Sequence, residues 1–349
     1  MKVNFIVPST STVMGGGIRV IFRHANYLAD KGHDVVIYVP MLFCIGHKFV
    51  LKTSLANTFK RGTNIKWMDA RFKVKLAFYI SDLFIRDADI VIATAWYTAP
   101  FVNKLSEKKG KKVYFIQDYE IWNQDKAEVD STYKMDMYRI VITNGLRDTL
   151  KRECGVESTV VYNGHSEEEY IGDVAKKQNN PLKIMMLWNS AWYKGSKQAL
   201  AILERFHKQY GIKVIFFSVE KKPEIPDFVE YHHRPGRHLL MNLYQQSDIY
   251  LFPSLQESWG LPVIEAMANK CAVVGMETGA LKDVCKNGLH ALIAENENYK
   301  DFADKLEKVI CEADLRIQLQ ENGYQFSKRF SWNKQCLHFE EKLMGLING

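Results

Sequence analysis

One alternation, run through twice, constrains this chain more than any other feature. Short apolar runs of strand length alternate with longer segments of helical period. "KVNFIVP" (Lys2–Pro8), "DVVIYVP", "ADIVIAT", "KVYFIQ" and "RIVIT" read as strands separated by helical stretches. In the first of these stretches, "GIRVIFRHANYLADKG", Ile18, Ile21, Ala25 and Leu28 recur at helical spacing and Gly32 marks the stop. Near-continuous apolar strands joined by helices predict a parallel sheet covered on both faces. The pattern halts at the polar "YIGDVAKKQNNPLK" (Tyr170–Lys183), which reads as a linker. It then restarts with "KIMML", the helix "SKQALAILERFHKQYG", "KVIFFSV", "DIYLFP", "CAVVGM" and "HALIA", and ends on the amphipathic "FSWNKQCLHFEEKLMGLI". The expected fold class is α/β: two Rossmann-like halves facing across a cleft, with ligands at the carboxyl ends of the strands. A length of 349 residues accommodates two such domains.

Composition narrows the setting. The six cysteines are scattered, with no C-x-x-C pair and no zinc-ligand spacing, and read as reduced intracellular thiols. The N-terminal apolar run is too short for a signal peptide, and no stretch approaches ~18 uninterrupted apolar residues, so a cytoplasmic location is expected. The net charge of +7 is uneven: Lys48, Lys52, Lys60, Arg61, Lys66, Arg71, Lys73 and Lys75 crowd one stretch whose single acid is Asp69. This 48–75 segment reads either as a solvated face or as a patch for an anionic membrane surface or a phosphorylated acceptor. Nucleic acid ranks last among partners, because no nucleic-acid-binding signature accompanies the charge.

The chemistry centres on "FPSLQESWGLPVIEAMA" (Phe252–Ala268), which places Glu257 in a loop and Glu265 inside a helix with seven residues between them. Gly260 and Pro262 mark the start of that helix, with Pro262 expected at its first position. A helix start offers free N–H groups and the positive end of a dipole, so a phosphate fits there. A carboxylate on either side can then take hydroxyl hydrogen bonds, an arrangement suited to a sugar nucleotide. A second phosphate candidate is "MGGGIRV" (Met14–Val20), with Gly16 and Gly17, which lacks the dinucleotide G-x-G-x-x-G spacing; a loop needing no ligand is the lesser alternative.

This segment resembles the E-x7-E signature of the large retaining glycosyltransferase family with the GT-B fold (glycosyl transferase group 1). "NLYQQSDIYLFPS", "AVVGMETGALKDVCKNGLHALI", "VYNGHS" and "RFSWNKQ" are similar to the family's flanking segments. The resemblance implies an acceptor-binding domain over 1–168, a nucleotide-sugar-binding domain over 169–327, and a terminal helix over 328–349 that crosses back to the first domain. It implies that Glu265 binds ribose hydroxyls, that Glu257 contacts the donor sugar, and that the N–H groups of Trp259, Gly260 and Leu261 hold sugar and diphosphate. Lys194 in "MLWNSAWYKG" matches the lysine that neutralises the diphosphate. The family arginine five residues earlier is replaced by Asn189. Arg234, Arg237 or Arg19 supplies the missing cation, or the diphosphate is held more weakly. Gln117 stands where many members carry a histidine. "YFIQDYE" and "GGGIRVIF" resemble a subgroup of bacterial rhamnosyltransferases.

The "DAD" at Asp87–Asp89 mimics a D-x-D metal motif, but it precedes the strand "IVIAT" and reads as polar strand entry, so no metal and no cofactor are expected. Trp96, Tyr97, Tyr119 and Trp122 lie near strand ends, where they serve sugar stacking or core packing. Asp118 and Glu120 are acceptor-contact candidates. The expected activity is retaining transfer of a sugar from a nucleotide-diphosphate donor to a glycan or lipid-linked acceptor in bacterial surface polysaccharide synthesis, peripheral to the inner membrane. A sugar-nucleotide 2-epimerase and a non-catalytic nucleotide- or glycan-binding subunit are the alternatives.

Overall fold

The computed structural model describes residues 1–8, 16–45, 48–51, 69–121, 124–166, 172 and 175–349. The chain divides into two compact units: Met1–Asn163 with Asn333–Gly349, and Gly164–Trp332.

The first unit is built on seven strands, β1 (Lys2–Ile6), β2 (Asp34–Pro40), β5 (Lys73–Ala77), β6 (Ile90–Ala93), β7 (Lys111–Ile116), β8 (Tyr138–Val141) and β9 (Thr159–Val160). A separate antiparallel pair, β3 (Leu42–Ile45) and β4 (Lys48–Leu51), stands outside that sheet. The sheet order is β5-β2-β1-β6-β7-β8-β9, all parallel. Order therefore reverses between β1 and β6. The central strands are buried along most of their length, and Ile90–Ala93 along all of it, which is why they read as apolar runs. The last helix, Trp332–Asn348, contributes all but its first residue to this unit. Its Phe339 is fully buried, with ring centroids 5.2 Å from Phe115 and 6.5 Å from Phe5, and Glu340 binds His33 at 2.6 Å.

The second unit repeats the plan with β10 (Lys183–Leu187), β11 (Lys213–Ser218), β12 (Val229–His233), β13 (Ile249–Phe252), β14 (Ala272–Met276) and β15 (Leu292–Ala294). The parallel order is β12-β11-β10-β13-β14-β15. Here the reversal falls between β10 and β13. Two edge strands, β5 ("KVKLA") and β12 ("VEYHH"), are absent from the sequence reading. Each is partly exposed along its length and carries no apolar run. Lys73 and Lys75, counted in the basic stretch, are exposed on edge strand β5, where lysines discourage edge-to-edge pairing. Lys52, Lys60, Arg61 and Lys66 lie outside the described residues, as do Trp122, Met14 and Gly15.

The described part of the expected linker is stitched to the second unit. Lys176 donates to the carbonyls of Tyr244 (3.1 Å) and Asn269 (2.8 Å), Asn179 binds the Asp248 carboxylate, and Gln178 binds Gln320 and Arg316. At the unit boundary His165 donates its N–H to the Phe330 carbonyl and accepts from Trp332 N–H, each at 2.9 Å. A Cβ at Gly164 would stand 2.8 Å from Trp332 N, so glycine is required where these two stretches pass. This pairing ties 164–166 and 328–332 to the second unit.

Candidate donor site at the switch point of the second sheet

In open parallel α/β sheets ligands bind off the carboxyl ends of the strands, where strand order reverses. In the second unit the flanking strands are β10 and β13. The loop after β10 carries Lys194 and the loop after β13 carries Glu257. The two loops meet: Leu255 N–H donates to the Tyr193 carbonyl at 2.7 Å, and Lys194 Nζ lies 2.5 Å from Glu257 Oε2. Lys194 ends a short 3₁₀ turn, Trp192–Lys194, closed by Gly195 at φ 64°. A Cβ at Gly195 would stand 2.2 Å from the Pro253 carbonyl oxygen, so only glycine allows this approach.

The helix that follows the β13 loop runs Leu261–Ala268, with Gly260 as its cap at φ 81°. Leu261 is its first residue, which puts Pro262 second, one position later than expected. The N–H groups of the first turn lack i−4 acceptors by helix geometry, and Val263 N–H donates instead to the Gly260 carbonyl at 2.9 Å. Trp259 is 2% exposed; its ring packs on Phe330 at 5.3 Å and its carbonyl accepts from Ala280 N–H at 2.6 Å. Its side chain is therefore core, which leaves only backbone for a ligand. Gly279, at φ 54°, admits this contact, because a Cβ there would stand 2.5 Å from the Trp259 carbonyl oxygen. Gly279 belongs to the "AVVGMETGALKDVCKNGLHALI" segment that is similar to the family's strand and glycine loop, and "TGA" after an apolar strand is a turn signal.

Glu265 lies one turn into that helix and is 4% exposed. Its Oε1 receives Arg237 Nη1 at 2.9 Å, and the Tyr244 hydroxyl stands 3.5 Å from Oε2. Arg237 opens the helix Arg237–Gln246, and this one of the cations expected to replace the arginine is joined to a signature glutamate. Arg234 Nε donates to the Val219 carbonyl at 3.0 Å, in the loop after β11. Arg19 belongs to the other unit. Asn189 uses Oδ1 to accept Ala191 N–H at 2.9 Å, so it shapes the turn that presents Lys194. Glu220, unremarked in the sequence, ties that turn down by accepting from Ser190 N–H and Oγ at 3.1 Å.

In the first unit, the residues singled out also gather beyond the carboxyl ends of β1, β6 and β7. Gly16 and Gly17 are the first turn of the helix Gly16–Asp30 rather than part of the loop before it. Gln117 Nε2 donates to the Gly17 carbonyl at 3.0 Å, tying the β7 loop to that helix start. Glu120 Oε2 accepts Trp96 N–H at 2.7 Å and so joins the loops after β6 and β7. Burial pushes the Glu120 carboxyl up to about 7, and the nearby Asp118 charge adds to the rise. Trp96 is 6% exposed, which leaves its ring little face for stacking. The Tyr119 hydroxyl donates to Asp130 at 2.5 Å and its ring stacks on Tyr133 at 5.8 Å. Asp118 accepts Tyr119 N–H at 2.9 Å.

Asp87 pairs with Lys109 at 2.7 Å and Asp89 accepts Lys2 N–H at 2.6 Å, so "DAD" anchors strand entry. Among the described residues no group of three or more His, Cys, Asp or Glu is placed to hold a metal ion, and no helix is long and apolar enough to cross a membrane.

Comparison with known proteins bears on the family and the fold. Residues 169–326 match the family model of glycosyl transferases group 1, and residues 66–146 match that of the WsaF N-terminal domain. A D-inositol 3-phosphate glycosyltransferase of Corynebacterium jeikeium is 35% identical over 28% of this chain and 24% of its own. The matches to it and to several further curated relatives span only 23–26% of those proteins. The N,N'-diacetylbacillosaminyl-diphospho-undecaprenol alpha-1,3-N-acetylgalactosaminyltransferase of Campylobacter jejuni is 21% identical over 89% of this chain and 85% of its own. Among solved structures, Anabaena HepE in complex with UDP and glucose superposes with a TM-score of 0.74 at 14% identity, covering 99% of this chain and 100% of that one. Sucrose-phosphate synthase of Thermosynechococcus elongatus gives 0.74 at 13% identity, with 99% of both chains covered. WaaG, a glycosyltransferase involved in lipopolysaccharide biosynthesis, gives 0.72 at 13% identity over 98% of this chain and 100% of that one. The architecture, two Rossmann-like α/β units, is that of GT-B glycosyltransferases.

Proposed function

We infer that this chain, a glycosyltransferase carrying a glycosyl transferases group 1 domain over residues 169–326, moves a sugar from a nucleoside-diphosphate donor to a hydroxyl of a glycan or lipid-linked acceptor, with retention at the anomeric carbon. The observation that carries this reading is the meeting of Lys194 and Glu257 at the sheet's switch point, beside the start of the Leu261–Ala268 helix. An ammonium and a helix N-terminus there match a leaving diphosphate that gains charge as the glycosidic bond breaks. Glu257 and Glu265 are acceptors for sugar and ribose hydroxyls. The acceptor oxygen bonds to the anomeric carbon as the bond to the diphosphate breaks. The departing diphosphate oxygen takes the acceptor's proton on the same face, so no protein base is required.

The Campylobacter relative is named for a lipid-linked diphospho-undecaprenol acceptor and WaaG for lipopolysaccharide synthesis, which supports a role in bacterial surface glycan assembly. In this reading the enzyme works at the cytoplasmic face of the membrane, held there by the basic 48–75 stretch, and needs no divalent cation. NMR of the product linkage tests it. A retained anomeric configuration, formed undiminished in EDTA, is expected. An inverted centre defeats the mechanism, and full loss in chelator restored by one divalent ion defeats the metal-free account.

A further inference from the structure

The donor site is closed on itself. Two cation–carboxylate pairs stand about the start of the Leu261–Ala268 helix: Lys194–Glu257 at 2.5 Å joins the segments after β10 and β13, and Arg237–Glu265 at 2.9 Å joins two helices. The four side chains are 18%, 26%, 25% and 4% exposed in that order, so little water competes for them. Both glutamates assigned to hydroxyls are thus already held by the cations assigned to, or standing beside, the diphosphate.

We propose that these pairs form a counterion lock that selects the donor by its combination of groups. The inference rests on the donor-site reading above. A ligand opens both pairs without loss only when it brings an anion for Lys194 and Arg237 together with hydroxyls for Glu257 and Glu265. Pyrophosphate alone takes the cations but leaves Glu265, the most buried member, stripped of its counterion, which is strongly unfavourable. A free nucleoside offers hydroxyls to the carboxylates but leaves an ammonium and a guanidinium without an anion. A nucleoside diphosphate supplies both exchanges at once. The lock therefore discriminates against simple polyanions, although the site contains two cations and a helix N-terminus. It also assigns Arg237 to the diphosphate, in the role that Asn189 cannot fill because its side chain closes a turn.

The test is calorimetric titration of the whole chain with inorganic pyrophosphate, uridine, and UDP, ADP, GDP and dTDP. Wild type should bind one or more of the diphosphates and bind pyrophosphate and uridine weakly. Glu257→Gln and Glu265→Gln keep shape and one hydrogen-bond acceptor but release a cation. Each should bind pyrophosphate about tenfold more tightly than wild type, the equivalent of ~1.4 kcal/mol, while binding the nucleoside diphosphate less well. Adding Lys194→Ala to the first, or Arg237→Ala to the second, should erase the gain. Circular dichroism melts confirm that each variant is folded. Pyrophosphate affinity equal to or below wild type in both folded glutamine variants overturns the lock, as does a gain that survives loss of the cation. If the gain appears and is erased as expected while no nucleoside diphosphate binds wild type, the lock stands and the nucleotide reading falls.

Discussion

Lys194 and Gln117 both stand beyond strand ends, yet their surroundings assign them unequal weights. Lys194 is a mostly buried ammonium aimed at a carboxylate across the switch point, so on the proposed reading its removal strips a full charge from the side of the leaving group. Lys194→Ala should lower kcat by roughly 10²–10³, as loss of a preorganised electrostatic group does. Gln117 makes a neutral bond to the Gly17 carbonyl, worth about 0.5–1.5 kcal/mol, so Gln117→Ala should cost roughly tenfold or less. Steady-state turnover of donor with acceptor checks the pair, and equal losses would contradict a transfer without a protein base. Glu120 allows a prediction that needs no substrate. Its carboxyl is raised from 4.5 to about 7 in the folded chain, so folding favours its protonated form. The stability this contributes is fully present below pH 4.5 and is lost as pH rises through 7. Glu120→Gln stays neutral throughout and should escape that loss. Between pH 5 and pH 8, urea unfolding should show the variant's stability falling less than wild type's by about 1–3 kcal/mol. Parallel pH profiles for the two proteins would mean that Glu120 ionises as an ordinary surface glutamate.

At the scale of elements, what the sequence discloses follows burial. β1, β6, β13 and β14 are buried on both faces and read as apolar runs, whereas edge strands β5 and β12 have one side at the sheet margin and show no such run. The signature glutamates were readable because the strand, glycine, proline and helix context stands contiguously around them. Their cationic partners were not. Glu265 meets Arg237 over 28 residues of sequence and Glu257 meets Lys194 over 63, separations that only the sheet's crossovers bring together. Gly195 is the element-level counterpart. It combines a left-handed φ of 64° with a Cβ position 2.2 Å from the Pro253 carbonyl. A side chain there costs about 1–2 kcal/mol for the backbone alone, before any shift of the β13 loop. Gly195→Ala should therefore lower the melting temperature and, by pushing the Lys194 turn off Pro253, depress kcat as well. A variant with unchanged melting and turnover would show that the two loops need not approach so closely. Gly211, also at positive φ, meets nothing within 4 Å and serves as the control, with the backbone cost but no loop displacement.

Across the whole molecule, the double βαβ run announced two sheets, and a chain of this length has the material for both cores. The place of division was harder to read. The polar Tyr170–Lys183 stretch looked like the joint, but its described residues spend their polar groups on the second unit's carbonyls and carboxylates, and the division falls at Asn163/Gly164 and again at Trp332/Asn333. Polarity alone does not distinguish a solvated linker from one whose amides and ammonium groups are satisfied by the fold. This division makes the proposed donor site a property of one unit, because every member of the two ion pairs lies within Gly164–Trp332. Amide hydrogen exchange can test that assignment with a nucleoside diphosphate at about 100 times its Kd, where binding adds ~2.7 kcal/mol against openings that destroy the site. Slowed exchange should concentrate in residues 189–195, 254–261 and 277–280, the loops after β10, β13 and β14. Amides at the opposite, amino-terminal ends of the same strands that already exchange through local fraying should be unchanged, since fraying there leaves the site intact. If the loops holding Lys194 and Glu257 keep their exchange rates while the segments around Gly17 and Gln117 slow, the nucleotide binds to the first unit and the ion pairs of the second serve some other purpose.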